Sequence, residues 1–218
     1  MTLQIHSIPV RMARAYLIES ETGLVLIDTG APHSEERVLR KMRSLGRDDL
    51  KLIFITHAHL DHYGSAAALR RLTKAPIAIH RADAQAMAEG LTRLGSVRSM
   101  GRLMLPLIHL SKRFLQPEPT TPDIDLDDGD TLDAYGLRAV VHHTPGHTPG
   151  SSCLLVEKQL AFTGDLLSTT GWPHVQLFYA EDWSLIPHSL SHIQALKPEW
   201  IFTGHGHRPM SGRNLQRL

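Results

Sequence analysis

The apolar run Leu52-Ile53-Phe54-Ile55 breaks directly into Thr56-His57-Ala58-His59-Leu60-Asp61-His62, setting three imidazoles and a carboxylate within six residues. A short run of this kind reads as a buried strand, so the fold must end a strand in a loop dense with metal-seeking groups. Imidazole nitrogen and carboxylate oxygen both suit borderline cations such as zinc. Packing alone gives no reason to gather so many of them in one turn.

Three later segments repeat the pattern of an apolar run closing on a glycine-rich turn with a ligand-type residue. They are His142-His143-Thr144-Pro145-Gly146-His147-Thr148-Pro149-Gly150, Phe162-Thr163-Gly164-Asp165, and Ile201-Phe202-Thr203-Gly204-His205-Gly206-His207. Glycine there lets the backbone turn sharply and come close to a bound ion. If each apolar run is a strand, all four loops converge at one edge of a sheet, where open α/β folds place their ligands.

On these motifs the chain resembles the metallo-β-lactamase fold superfamily, in its glyoxalase II-like and lactonase-like metallohydrolase branch, over nearly its whole length. The resemblance implies an α/β fold, the four-layer αββα sandwich, and two metal ions. His57, His59 and His147 resemble the ligands of the first ion, Asp61, His62 and His205 those of the second, and Asp165 the carboxylate that bridges both. Asp28, in Leu26-Ile27-Asp28-Thr29-Gly30, resembles the family's early aspartate, which supports the metal loop without ligating. The implied cofactor is two Zn2+ per chain, with Mn2+ or Fe as alternatives. A metal pair about 3.5 to 4 Å apart acidifies bridging water and polarises a substrate oxygen together. The expected reaction is therefore hydrolysis of a small-molecule ester, lactone or thioester by a metal-bridging hydroxide. Asp61 and Asp165 are the carboxylates on which catalysis rests.

Asp165 argues against the penicillin-degrading members, and the forty residues from Asp165 to His205 (205 − 165) are too few for a nuclease-type inserted domain. Two other readings stay open: a sulfur dioxygenase holding a single iron through groups resembling His57, His147 and a carboxylate, and a non-catalytic binding protein stabilised by metal. Tyr63 and Tyr179 are candidate substrate contacts, since either phenol could donate to an oxyanion. His142, His143, His174 and His207 are ambiguous neighbours, His207 being expected to face away from the ion that His205 serves. Trp172 and Phe178 either wall a pocket or anchor a long loop.

The 218 residues suit one domain spanning 1–218, as no low-complexity linker divides them. Formal net charge is +1, which gives no reason to expect nucleic acid or a membrane surface. A single cysteine excludes an intrachain disulfide, and Cys153 in an apolar run reads as a space-filling thiol. No apolar run reaches the length of a membrane span, and the start lacks the pattern of a secretory leader, so a cytoplasmic location and a small-molecule substrate, acyl or anionic, are expected.

Strands are expected at Ile5–Ile8, Ala15–Glu19 and Leu24–Asp28 with a hairpin at Glu21-Thr22-Gly23, then at Leu52–Ile55, Ile77–His80, Thr131–Leu132, Leu137–Val141, Ser152–Val156, Leu160–Thr163 and Trp200–Phe202. Helices are expected after a Ser34 or His33 cap, with Val38, Leu39, Met42 and Leu45 as the apolar stripe, over Ser65–Leu72, after an Asp83 cap, over Ile186–Leu196, and in the tail from Ser211. Residues 90–117 read as a helical insertion. Between Glu89 and Glu118 there is no acidic residue, and Val97, Met100, Met104 and Leu107 fall on one helical face. The segment is either a helix pair covering a sheet edge or a homodimer contact, or a lid over an apolar pocket, or a basic helix for a membrane surface.

Overall fold

Alternate side chains of a strand point to opposite faces, and the apolar runs of this chain furnish both faces at once. Residues 3–98, 101–103, 105–106, 110 and 115–218 are described by the computed structural model. Six strands form the first sheet: β1 (Gln4–Pro9), β2 (Arg14–Glu19), β3 (Leu24–Ile27), β4 (Leu50–Ile55), β5 (Ile77–His80) and, beyond a two-residue strand β6 (Ser96–Val97) that lies elsewhere, β7 (Ile124–Leu126). Their spatial order is β1-β2-β3-β4-β5-β7; the first three are antiparallel and β3 to β7 parallel. The second sheet contains β8 (Ala139–His143), β9 (Ser152–Val156) and β10 (Leu160–Phe162). Between it and the later strands run the short β11 (Leu167–Thr169), β12 (His174–Val175) and β13 (Tyr179–Ala180). The chain closes with β14 (Trp200–Phe202), β15 (His205–Gly206) and β16 (Met210–Ser211), and the second sheet is ordered β16-β14-β10-β9-β8.

Three apolar layers show how the sheets stack. Ala15, Leu17, Leu24, Leu26, Ile53, Ile55, Ile77 and Ile79 face a layer shared with Val38, Met42, Leu69 and Met87, which lie on helices α1 (Glu35–Ser44), α3 (Ala66–Thr73) and α4 (Arg81–Ala88). The alternate residues Tyr16, Ile18, Val25, Ile27, Leu52, Phe54 and Ala78 meet Val141, Leu154, Val156 and Phe162 of the second sheet. The outer face of that sheet, Cys153, Leu155, Ala161 and Ile201, packs on Ile186, Ile193 and Leu215 of α5 (Ile186–Leu196) and α6 (Gly212–Leu215). The result is the four-layer αββα sandwich. At about 25 cal/mol per Å² of apolar surface, the middle layer is what ties the two sheets together, and the loops at their shared edge inherit its rigidity. Cys153 is fully buried, and burial raises its pKa, as a packing thiol requires.

Most expected elements occur where the pattern puts them, the hairpin after β2 and the helix over Ile186–Leu196 included. Four local expectations need correction. Ser34 occupies the position before α1, but its hydroxyl accepts from the Arg11 amide and caps nothing. Thr131 makes one isolated bridge to Val140, and a 3₁₀ turn over Asp133–Tyr135 with Gly136 at φ +75° delays the strand until Ala139. Asp83 lies inside the first turn of α4, whose preceding residue is His80, and its carboxylate is used elsewhere. Val97 belongs to β6, which pairs with β13, so it is not part of a helical stripe; Met100, Met104 and Leu107 lie outside the described residues. Among the described residues no helix is long and apolar enough to cross a membrane.

Candidate metal centre

The short helix α2 (Leu60–Tyr63) follows β4 through the loop at 56–59, and Asp28, at the end of β3, fixes how that loop leaves the sheet. Its Oδ1 accepts from the Thr56 amide at 2.8 Å and its Oδ2 from the Thr56 hydroxyl at 2.9 Å and from His62 Nδ1 at 2.8 Å. Asp28 takes a left-handed backbone, φ +58°, a conformation that costs a non-glycine residue about 1 kcal/mol or more and persists where the surroundings over-determine it. With Nδ1 held, the Nε2 of His62 is aimed inward.

Each histidine of the first expected set is oriented by an outer partner in the same way. The Thr56 hydroxyl, already donating to Asp28, accepts from His57 Nδ1 at 3.0 Å. His59 Nε2 donates to the Arg93 carbonyl at 2.7 Å, and His147 Nδ1 to the Tyr179 carbonyl at 3.0 Å. Carbonyls only accept, so these bonds assign the protons to the outer nitrogens and leave lone pairs on His57 Nε2, His59 Nδ1 and His147 Nε2. The last two face each other at 3.0 Å, and His57 Nε2 is buried without any hydrogen-bond partner. Facing lone pairs in a buried site repel unless a cation lies between them.

Asp165 sits between this trio and the second. Its Oδ1 is 3.3 Å from His62 Nε2, and its Oδ2 is 3.1 Å from His205 Nε2 and 3.6 Å from His147 Nε2. Asp61 Oδ2 lies 3.4 Å from His205 Nε2 and 3.8 Å from His62 Nε2. Three groups, His57/His59/His147, His57/His62/Asp165 and Asp61/His62/His205, each bring their ligand atoms within 4.8 Å of one another. His62 Nε2 and Asp165 Oδ1 are buried and unpartnered. A donor set of imidazoles and carboxylates with orphaned inward atoms fits a divalent cation on either side of Asp165. His205, 26% exposed at its side chain, marks the open side of the cluster, the other histidines being buried.

The electrostatics divide the two halves. Burial holds His57 and His59 below the ordinary range and His147 at about 3, with neighbouring imidazoles adding to it at His57 and His147 and with carboxylates and the Arg93 carbonyl opposing it at His59. These rings are neutral and ready to ligate. Burial also opposes charge on His62 and His205, but Asp165 and its companion carboxylates outweigh it, raising His205 to about 8 and His62 well above the usual value. Asp165 itself stays ionised, because those two imidazoles overcome the cost of its burial. Protons thus occupy, in part, the place where positive charge is wanted.

Close approach explains the glycines. A Cβ on Gly204 would overlap Asp165 Oδ1 and His62 Cε1, so only glycine lets the chain after β14 deliver His205 beside the Asp165 carboxylate. A Cβ on Gly150 would sit 2.6 Å from the Asp83 carboxyl carbon.

The structure brings His57, His59, Asp61, His62, His147, Asp165 and His205 together, with Asp28 in contact with His62. Tyr63 is a correction: its ring belongs to the core beneath the first sheet and its hydroxyl donates to the Leu91 carbonyl at 2.9 Å, so the phenol is turned away from the cluster. Tyr179 remains beside it, its ring centroid 5.8 Å from that of His147. His207 turns to Arg14, His174 to the Trp172 carbonyl, and His143 stacks on His80. Trp172 is 68% exposed, and none of these residues enters the cluster.

Two residues that shape the site were not connected to it from sequence. Asp83, buried at 2% exposure, accepts at 2.7 Å from each of the Ala58 amide, the Thr148 hydroxyl and the Gly150 amide, and so clamps the His57–His62 loop to the His147 loop. Gln176 donates to the Asp165 carbonyl at 3.1 Å while its Oε1 accepts from the Leu177 and Phe178 amides, binding the 174–178 stretch to the cluster. Nothing in the sequence tied Asp83, read there as a helix cap, to the donors of Thr148 and Gly150.

Fold and cluster together define an α/β protein with a buried histidine–aspartate cluster at the edge of two stacked sheets. The family model for the metallo-beta-lactamase superfamily matches residues 8–205, and the chain belongs to that superfamily. Its curated relatives include hydroxyacylglutathione hydrolase GloC of Haemophilus influenzae, 30% identical over 70% of this chain and 65% of the relative. The N-acyl homoserine lactonase of Bacillus thuringiensis is 27% identical over 66% of this chain and 58% of its own length. The chain spans about two thirds of the length of other curated relatives too, 67% for one from Aquifex aeolicus and 63% for one from Mycobacterium tuberculosis. Among solved structures, the metallo-beta-lactamase family protein TTHA1429 of Thermus thermophilus superposes with a TM-score of 0.74 at 22% identity, covering 98% of this chain and 77% of that one. That likeness is one of fold.

Proposed function

We propose that this chain is a dinuclear metal-dependent hydrolase of a small-molecule ester, lactone or thioester. His57, His59 and His147 would hold one cation, Asp61, His62 and His205 the other, with Asp165 shared. The observation that carries the reading is the set of buried inward atoms with no hydrogen-bond partner, His57 Nε2, His62 Nε2 and Asp165 Oδ1. Five imidazoles and two carboxylates favour zinc, with manganese or iron as the next choices. When bound, such a pair supplies Lewis acidity to a substrate carbonyl and acidifies water.

Around that centre the chain's own groups have separate tasks. Asp28 keeps the His62 ring from rotating, and the carbonyls of Arg93 and Tyr179 keep the lone pairs of His59 and His147 inward. Asp83 and Gln176 fix the loops that carry them. The Tyr179 phenol has no hydrogen-bond partner among the described residues, and burial together with Asp165 and Asp61 raises its pKa, so it stays protonated as a donor for an oxyanion. The names of the Haemophilus and Bacillus relatives, one a thioester-type and one a lactone hydrolase, support acyl transfer to water as the reaction class.

The second trio supports two ions over one. A single iron held by His57, His147 and a carboxylate would leave Asp61, His62 and His205 without a task. Assaying the zinc-restored protein on thioesters, lactones and aryl esters tests the proposal: activity appears with metal and vanishes on chelation. A protein with both sites filled that is inert on the whole panel, or one carrying a single iron and consuming oxygen, overturns it.

A further inference from the structure

A second histidine–aspartate cluster involves the edge strand of the second sheet and shares no residue with the centre described above. His142 is the fourth residue of β8, the edge strand of the second sheet, and pairs in register with Cys153, whose side chain faces α5. His192 projects from α5 toward it, and the two rings meet with His142 Nδ1 and His192 Nε2 3.1 Å apart. Asp128, on the turn that precedes β8, completes the group: one carboxylate oxygen and the two ring nitrogens lie within 4.8 Å of one another.

We propose that Asp128, His142 and His192 form an independent binding site for a zinc-class divalent cation, coordinated by two imidazoles and one carboxylate and open to solvent at its remaining positions. The donor chemistry suits a borderline ion, and three protein ligands with water completing the shell is a recurrent zinc arrangement. Two nitrogens bound to one tetrahedral zinc at about 2.0–2.1 Å stand about 3.3 Å apart, so the observed spacing needs only a few tenths of an ångström of adjustment. The ordinary reading of such a pair is a single shared hydrogen bond between rings. That bond would account for the two nitrogens but not for the carboxylate delivered to them from a third element.

The surroundings prepare the ligands. Asp128 Oδ1 accepts from the His143 amide at 2.8 Å, which fixes the carboxylate and leaves its other oxygen for an ion. Asp127 and Asp130 share the turn and add negative potential; Asp127 is paired with Arg81, and Asp130 accepts from the Asp127 amide. Burial and the neighbouring His192 ring hold His142 below the usual imidazole range, so at neutral pH its lone pair is available. Asp128 is exposed and the two histidines half-buried, which gives a cation a path from solvent. An ion there would staple the edge strand β8 to α5. The next loop carries His147, and α5 is already tied to that loop by the Ser189 hydroxyl donating to the Pro145 carbonyl at 2.7 Å.

The test is zinc stoichiometry by equilibrium dialysis of the full chain followed by elemental analysis, for wild type, His192→Ala and Asp128→Asn. The site predicts that His192→Ala takes up one equivalent less than wild type, whatever number is held elsewhere, while hydrolytic activity and the far-ultraviolet circular dichroism stay unchanged. Asp128→Asn, exposed and harmless to folding, should weaken the same equivalent at least tenfold. Cobalt titration adds a spectroscopic check, since the d–d bands of one equivalent should vanish in His192→Ala. Equal zinc uptake by wild type and both variants, with identical cobalt spectra, overturns the site and leaves the hydrolase proposal untouched.

Discussion

Asp83 offers the sharpest test of how the centre is held together. In Asp83→Asn the side chain keeps its shape but has one oxygen where three donors converge. With that oxygen on the Oδ2 side, Ala58 N–H and Thr148 O–H keep an acceptor, and the new amide confronts the Gly150 N–H. Leaving one buried N–H unsatisfied costs about 1–3 kcal/mol, and turning two charge-assisted bonds into neutral ones costs about 1 kcal/mol each. The expected loss is about 3 to 5 kcal/mol, a large share of the roughly 5–15 kcal/mol typical of a domain. Urea denaturation of the metal-free protein measures it as a lower midpoint at unchanged slope. Zinc affinity should fall about 10- to 100-fold as the two ligand loops separate. A midpoint shift worth less than about 0.5 kcal/mol, together with unaltered zinc affinity, would refute the clamp.

Other outcomes follow from the same geometry. Asp165→Asn should give a folded protein with activity reduced by about 10²-fold or more, read as kcat on the best substrate of the panel. Tyr63→Phe should cost about 1 kcal/mol of stability with kcat unchanged, whereas Tyr179→Phe should lower kcat about tenfold or more with stability unchanged; the reverse pattern would exchange their assignments. In the metal-free protein, His62 and His205 have folded pKa values above the unfolded 6.5, so the stability they contribute is present below that pH and lost as pH rises through about 8. His57, His59 and His147 have lowered values, so their contribution is present above 6.5 and fades as pH falls towards the folded value, about 3 for His147. Urea melts in chelator at pH 5, 6.5 and 8.5 should therefore show greatest stability near the middle value.

Much of the architecture was legible because periodicity and burial coincide. Leu52 to Ile55 is apolar on both faces, and a strand buried on both sides is what a sheet between helices and a second sheet demands. The seven site residues could be named because each lies in the segment that follows such a run, where the chain leaves a strand at the shared edge. The outer partners were less accessible. Asp83 looked like a helix cap since a carboxylate near a helix start usually serves the backbone there, whereas here two distant loops compete for it and win. Tyr63 adjoins His62 in the chain, yet the helical turn of α2 sends the two side chains to different sides, one to Asp165 and one to the core. The stripe through Val97 failed because β6 takes that residue into a pair with β13, a contact 82 residues away by register with Tyr179 (179 − 97).

The claim underneath all of this is that seven side chains from four separate stretches of the chain enclose two cations. Crystals of the zinc-loaded protein, measured on both sides of the zinc absorption edge, test it directly. The account predicts two anomalous peaks flanking Asp165, one against His57, His59 and His147 and one against Asp61, His62 and His205. A map with no peak among these residues, while the protein remains folded and active, would contradict it.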